Sequence, residues 1–334
     1  MNDSPQARWQ RWRARLPQLS PSQQMIYGGA LSIALLLFVF FVVPYLVPLG
    51  GPSVRPATRL ADPNGIFLDL NGVQHYATHQ PGSGPTVIFV HGFGGSVVDW
   101  RALWPYLDAY DVYALDLAGF GLSEKGLNLD LSHEAQAARV VALMDARRIP
   151  HAHIVAHDMG GNIALHLAQR YPDRVQSLAL LAPALIYEPT TTVPAWVLQT
   201  DVTQRWARLF IRWIMPASTE INLRSAAERD EIVTPQLVED YQRAYHTPGW
   251  DLALLALARD NSQSALPLPL QDTRTPSLIV WGAEDGWIAP QTATQIAADL
   301  PHAQRVMLPG VGHLPMLEAP LVLAIILLNY WSVF

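Results

Sequence analysis

One stretch, Val155-Ala156-His157-Asp158-Met159-Gly160-Gly161, restricts the fold of this chain more than any other. It follows the apolar run His153-Ile154-Val155 and precedes a helical pattern from Asn162 to Arg170, so it reads as strand, sharp turn, helix. A side chain at such a turn is held in a strained backbone conformation, pointing away from the sheet, with the free N–H groups of the next helix behind it. Backbone passes close by on both sides, which demands small neighbours. Ala156 and Gly160, two before and two after Asp158, meet that demand.

The rest of the chain alternates in the same sense. Phe67–Leu70 and Val73–Tyr76, joined by Asn71-Gly72, predict a tight hairpin. Val87–Val90 is an apolar run of the kind buried on both faces of a parallel sheet; Tyr113–Leu115, Leu178–Leu181 and Leu278–Trp281 read as further strands and Arg305–Leu308 as the last. Ser132 to Arg147, with Ser132 as cap and Glu134 in the first turn, predicts a helix, as do Gln291–Leu300 and the closing Leu321–Tyr330. From about Ala184 to Pro267 the alternation stops, then resumes. An insertion between two core strands is the simplest account, over a mostly parallel sheet with helices on both faces.

Before the globular part, Met25 to Leu49 runs for about two dozen residues without a charge, enough to cross a hydrocarbon core of ~30 Å as a helix. A signal peptide would have an apolar region of only ~7–15 residues ending in a small-residue cleavage site, whereas this run ends in PYLVPLGGP. Arg8, Arg11, Arg13 and Arg15 precede it, and only Arg55 and Arg59 follow closely. The positive-inside rule therefore places the N-terminus in the cytoplasm and the globular part outside. The resulting organisation is a basic cytoplasmic segment 1–24, a transmembrane helix 25–49, a linker 50–64, core 65–183, cap insertion 184–267 and core 268–334. A net charge of -6, with its local basic excess confined to the N-terminus, gives a polyanion no basic face, so no nucleic-acid partner is expected. Cysteine is absent, which removes disulfides, a thiol nucleophile and cysteine-ligated metal. His151-x-His153 would lie on one strand face but lacks a third ligand, so no metal and no cofactor is assigned.

From Gly65 onward the chain resembles the α/β-hydrolase superfamily. The elbow matches its G-x-S-x-G pattern with Asp158 in place of serine, and further motifs follow in the family's order of nucleophile, acid, histidine. The resemblance implies Asp285, in Trp281-Gly282-Ala283-Glu284-Asp285, as the acid, with Glu284 an open alternative, and His313, in Gly310-Val311-Gly312-His313-Leu314-Pro315, as the histidine. It implies oxyanion donors at the backbone N–H of Met159 and of Phe93, in His91-Gly92-Phe93-Gly94-Gly95-Ser96. His91-Gly92 and Asp116-x-x-Gly119-x-Gly121-x-Ser123 are family loop motifs that shape the site. Tyr187, Tyr241 and Tyr245 in the insertion are candidate substrate-binding acids. Phe93, Met159, Trp287 and the tryptophans of Pro183–Pro267 are expected to line an apolar pocket for a small hydrophobic substrate.

A carboxylate attacking an ester carbonyl would form an anhydride, a poor step, whereas carboxylates suit displacement at saturated carbon. Asp at this position resembles the superfamily's epoxide hydrolases and haloalkane dehalogenases, in which an alkyl-enzyme ester forms and His-activated water hydrolyses it. Met159, where dehalogenases have a halide-binding Trp, favours the epoxide branch. The loop motifs resemble those of serine esterases, lactonases and C–C hydrolases instead. Three readings stay open at this point: an aspartate-nucleophile hydrolase acting on epoxides, a serine-type ester hydrolase whose nucleophile is replaced by Asp, and a non-catalytic membrane-tethered binding protein.

Overall fold

The structure, a computed structural model, describes residues 20–49, 54–188, 194–198 and 200–334, together with Gln6 and Trp9. Most of the basic segment, with its four arginines, and the start of the linker lie outside the described residues. Helix α1, Pro21–Phe41, starts ahead of the expected Met25 because Ser20 caps it: the Ser20 hydroxyl accepts from Gln23 N–H and the Gln23 side chain accepts from Ser20 N–H. None of its residues is buried, and it is long and apolar enough to cross a membrane. It stops well short of Leu49, since Pro44 lacks the N–H that would bond the Phe40 carbonyl and its ring crowds that carbonyl; only a short helical piece, Val43–Leu46, follows.

β1 (Gly65–Leu70) and β2 (Val73–Gln80) form the expected hairpin, closed at Leu70 and Val73, with both Asn71 and Gly72 at positive φ as a type I′ turn needs. β3 (Thr86–Val90), β4 (Asp111–Leu115), helix α2 (His133–Arg147), β5 (Ala152–His157), α3 (Met159–Arg170) and β6 (Val175–Leu181) follow. The insertion supplies α4 (Asp201–Ala226), α5 (Pro235–Gln242) and α6 (Trp250–Asp260). The chain then returns to the sheet with β7 (Ser277–Gly282), α7 (Thr292–Asp299), β8 (Ala303–Leu308) and α8 (Pro320–Trp331). The eight strands lie in the order β1-β2-β4-β3-β5-β6-β7-β8; β2 is antiparallel to both neighbours and all other pairings are parallel.

Strand side chains alternate between faces, and the core divides accordingly. Ile88, Ile154, Leu180 and Ile279 meet α2, α3 and α7 on one face, while Val87, Phe89, Val155 and Leu278 meet Trp100, Leu103 and α8 on the other. Each large apolar side chain fully buried there contributes ~1.5–3 kcal/mol. α8 packs through Leu323, Leu327, Tyr330 and Trp331 and leaves Leu321, Val322 and Ile325 exposed. The expectation that His151 and His153 share a strand face fails. His151 precedes β5 and is exposed, while His153 is buried, bonded to Ser177 Oγ at 2.8 Å and stacked on Trp331 at 5.2 Å.

Candidate active site

Asp158 sits between β5 and α3 at φ 49°, ψ -121°, a left-handed conformation that costs a non-glycine residue of order 1–3 kcal/mol. The surroundings hold it there. Its N–H donates to Leu181 O at 3.1 Å, and its carbonyl accepts from Gly161 and Ala184 N–H at 2.9 and 3.0 Å. A Cβ on Gly160 would come within 2.5 Å of Val90 O and 2.6 Å of His91 O, and one on Gly92 within 2.6 Å of Asp158 Cβ. These close approaches are the physical content of the small-residue pattern. Phe93 N–H donates to Asp158 Oδ2 at 2.9 Å. Met159 is the first residue of α3, where the backbone N–H has no partner within the helix.

The two other residues matched to the family motifs lie on loops after β7 and β8, and the fold brings them together. His313 Nδ1 is 2.8 Å from Asp285 Oδ2, with both side chains buried. Asp285 Oδ1 accepts from Trp287 and Ile288 N–H at 2.8 and 2.9 Å. Burial alone would raise the Asp285 carboxyl, but the hydrogen bond and charge of His313 and these N–H groups outweigh it and hold it below its usual range. The two adjacent carboxylates differ in their contacts: Glu284 accepts from Val311 N–H at 3.1 Å and braces the loop, while Asp285 meets the imidazole. Among the described residues His313 Nε2 is buried without a hydrogen-bond partner, and His313 lines the cavity that Asp158 also lines.

Two cavities flank Asp158. The smaller, about 90 Å³, is lined by Asp99, His157, Asp158, Tyr241, Tyr245, Trp287 and His313 among others. The larger, about 720 Å³, is lined by Met159, Ile186, Tyr187, Ile211, Leu254, Leu257 and Ile288, again among others; Asp158, Phe93 and Met215 border both. The three candidate tyrosines therefore separate. Tyr241 and Tyr245 share the small cavity with Asp158 and His313, while Tyr187 lines the large one and is 55% exposed. Burial raises the phenol pKa of Tyr241 and of Tyr245, with Asp99 adding to the rise at Tyr241, so both hydroxyls stay protonated. Trp287 stacks on His313 at 5.3 Å.

The expected apolar lining is present, but the insertion's tryptophans do not supply it. Trp250 is buried, Trp196 and Trp213 are exposed, and Trp206 bonds to the Phe40 carbonyl. Aliphatic residues of α4 and α6 line the space instead, because the indoles on α4 project from its other side. Two further residues of the site lie beside the matched motif positions and not in them. Asp99, three residues past Ser96, is buried in the small cavity, its carboxyl pushed up to about 7 by burial against the pull of the Tyr241 hydroxyl facing it. His157, immediately before Asp158, has Nε2 2.9 Å from His313 O, and burial beside His313 lowers it to about 4. Neutral, it donates that N–H to the carbonyl and fixes the His313 backbone. Proximity to the elbow and to the His-Gly loop was the available signal for both. His91 is structural: its Nδ1 bonds to Gly92 O and its Nε2 accepts from Leu117 N–H. Asp116 likewise holds the Val97 and Leu122 N–H groups.

The geometry agrees with the comparisons to known proteins. The α/β-hydrolase fold family matches residues 85–320. YugF of Bacillus subtilis (strain 168), an uncharacterized hydrolase, is 28% identical over 254 residues, covering 75% of this chain and 92% of that protein. A solved membrane phospholipase A, a bacterial virulence factor, is 25% identical with a TM-score of 0.62, covering 92% of this chain and 98% of that one. The epoxide hydrolase CorEH, 19% identical, shares the fold at a TM-score of 0.67, over 80% of this chain and 98% of its own. This chain belongs to the α/β-hydrolase fold family and is a hydrolase.

Proposed function

We propose that the chain is a membrane-anchored hydrolase that opens hydrophobic epoxides through a covalent ester of Asp158. The observation that carries this is the company Asp158 keeps: one small cavity unites a carboxylate, an unpartnered histidine nitrogen and two protonated tyrosine hydroxyls. Asp158 Oδ1 attacks a ring carbon, the C–O bond breaks, and the departing oxygen takes the Tyr241 or Tyr245 proton, leaving a hydroxyalkyl ester and a tyrosinate. His313, oriented by Asp285, then takes a proton from water, and the hydroxide adds to Asp158 Cγ. The Phe93 and Met159 N–H groups hold the oxyanion, and Phe93 already holds the oxygen on which it forms. Collapse breaks the Cγ–O bond to the substrate, the departing alkoxide takes the proton of the added hydroxyl and leaves as the diol, Asp158 is again a carboxylate, and the proton on His313 returns to the tyrosinate. The large cavity takes the apolar remainder of the substrate.

The anchor is α1 with its cytoplasmic basic flank, which puts the hydrolase domain outside the cytoplasm. Protease added to intact cells should digest the domain; digestion only after lysis would reverse the orientation.

A second reading is favoured by the phospholipase relative: an ester hydrolase whose nucleophilic serine is here Asp158, its carboxylate occupying the Phe93 donor that a substrate oxyanion would need. Two variants separate the readings. His313→Gln should trap a covalent adduct of full substrate mass with an epoxide, since attack by Asp158 needs no base. No adduct across an epoxide panel, together with strong short-chain esterase activity in Asp158→Ser, would establish the second reading.

A further inference from the structure

Helix α4 has two apolar sides. At 100° per residue, Ile211, Met215 and Leu223 fall on one face, and these line the active-site cavities. Trp206, Phe210 and Trp213 fall on the opposite face, where Phe210 is 61% and Trp213 71% exposed. Isolated exposed apolar residues are ordinary, but a clustered apolar surface marks a contact with a partner or membrane.

This outer face is fastened to the end of α1. The Phe40 carbonyl, left without an intrahelical partner by Pro44, accepts from Trp206 Nε1–H at 3.0 Å. Arg205 donates to Pro44 O at 2.6 Å and to Val47 O at 2.9 Å, with its guanidinium 5.0 Å from the Tyr45 ring. Phe40 itself forms one wall of an apolar groove of about 410 Å³ whose other walls include Trp196, Trp206 and Phe210. A 21-residue helix is ~31 Å long, the thickness of one hydrocarbon core, so Phe40 stands at the boundary of the bilayer that α1 enters. Trp206 must then lie at the same depth, and Phe210 and Trp213 follow within ~6 and ~11 Å along α4. The outer face carries no charge over Trp206, Phe210, Trp213 and Ala217, and charge returns only at the far end, with the Glu220–Arg224 pair at 3.0 Å. Tryptophan at this level suits the interface between headgroups and chains.

We infer that the outer face of α4, with Trp196, Phe210 and Trp213, rests in the surface of the lipid bilayer that α1 crosses, so that one helix forms both the floor on the membrane and a wall of the active site. The inference rests on α1 being the anchor, and the experiment separates the two. Because the chain has no cysteine, single variants of the full chain label cleanly. Phe210→Cys, Trp213→Cys, Ile33→Cys in the anchor and Arg224→Cys at the polar end of α4 would each carry an environment-sensitive fluorophore, in vesicles of phosphatidylcholine with or without brominated acyl chains. Emission at 33, 210 and 213 should shift to the blue, lose intensity to the brominated chains and resist iodide, while the label at 224 should be quenched by iodide alone. Labels at 210 and 213 open to iodide while 33 is lipid-quenched would overturn the inference and leave the anchor standing. Protection at 210 and 213 from both quenchers would show a second copy of the chain on this face and overturn it equally. A label at 33 quenched by iodide would remove the anchor and the inference with it.

Discussion

Asp158 and Tyr241 face the same small cavity, yet the chain fixes them by different means. Asp158 is set by its immediate neighbours: a buried strand leads into it, a helix starts after it, Gly160 leaves room for the Val90 and His91 carbonyls, and Gly92 leaves room for the Asp158 side chain itself. Tyr241 is set from a distance. It lies on α5 between Asp240, bonded to Arg101 of the core at 2.8 Å, and Arg243, bonded at 3.0 Å to Asp62 just ahead of β1, two ion pairs that fix how the insertion docks. The core side of the site is thus a local property of strand ends, and the cap side is a property of docking. Changes on the core side should abolish chemistry outright; changes on the cap side should tune it.

The largest expected effect lies on the core side. Asp285→Asn keeps the shape but loses the charge that orients His313 and its tautomer, so turnover should fall on the order of 10⁴-fold. The Asp158 ester should still form and should accumulate, which intact-mass measurement reads directly. A variant that turns over normally would mean that the histidine needs no orienting carboxylate here.

On the cap side, Tyr241→Phe should slow ester formation by about 10²-fold, the lower end for a lost general acid, because Tyr245 remains. Tyr187→Phe should leave the rate unchanged, since that ring lines the large cavity away from His313. Single-turnover adduct formation with one epoxide compares the two. Equal losses would mean that the cap closes differently over substrate.

The same distinction accounts for what the sequence disclosed. The strands, the hairpin, the strand–turn–helix at Asp158, the pairing of Asp285 with His313 and the long apolar N-terminal helix were all legible, because each depends on residues adjacent in the chain or on the chain order of a few short motifs. Which tyrosine approaches His313 was not legible, since Tyr187, Tyr241 and Tyr245 differ only in how the insertion docks. The insertion's tryptophans misled for the same reason: a helix with two apolar sides does not reveal which side meets the cavity. Asp99 was hidden because its perturbation comes from burial, and burial is a tertiary fact.

Asp99 gives a test by pH. Its carboxyl is raised from an ordinary 3.8 to about 7, so the folded chain holds that proton more firmly than the unfolded chain does. Its contribution to stability is fully present below about pH 4 and is lost as the pH rises through about 7. His157 acts in the opposite sense. Lowered to about 4, it contributes above about 6.5 and loses that contribution as the pH falls. Denaturant midpoints against pH should therefore show the wild type weakening relative to Asp99→Asn between about pH 4 and 7, by a few kcal/mol, with the histidine contribution common to both and cancelling. Parallel curves would mean that Asp99 is ionised in the fold, which would sharpen its claim on a positive substrate group.

The smallest effect concerns the joint between the insertion and α1. Trp206→Phe keeps a ring in the groove but removes the N–H that bonds the Phe40 carbonyl. One neutral hydrogen bond near water is worth about 1 kcal/mol, and water can take up part of the loss. The sheet, which meets neither residue, should melt as before. Loosening should instead appear locally, as hydrogen exchange about fivefold faster over the first turns of α4, the factor that about 1 kcal/mol implies. Because the N-terminal half of α4 also carries Ile211, which lines the large cavity and not the small one, a looser N-terminal half should widen the large cavity before it disturbs the small one. Preference among hydrophobic substrates should then shift while the rate of ester formation from a short epoxide stays constant. A fall in that rate in Trp206→Phe would show that the joint with α1 reaches the reacting groups, and the division between a local core side and a docked cap side would no longer hold.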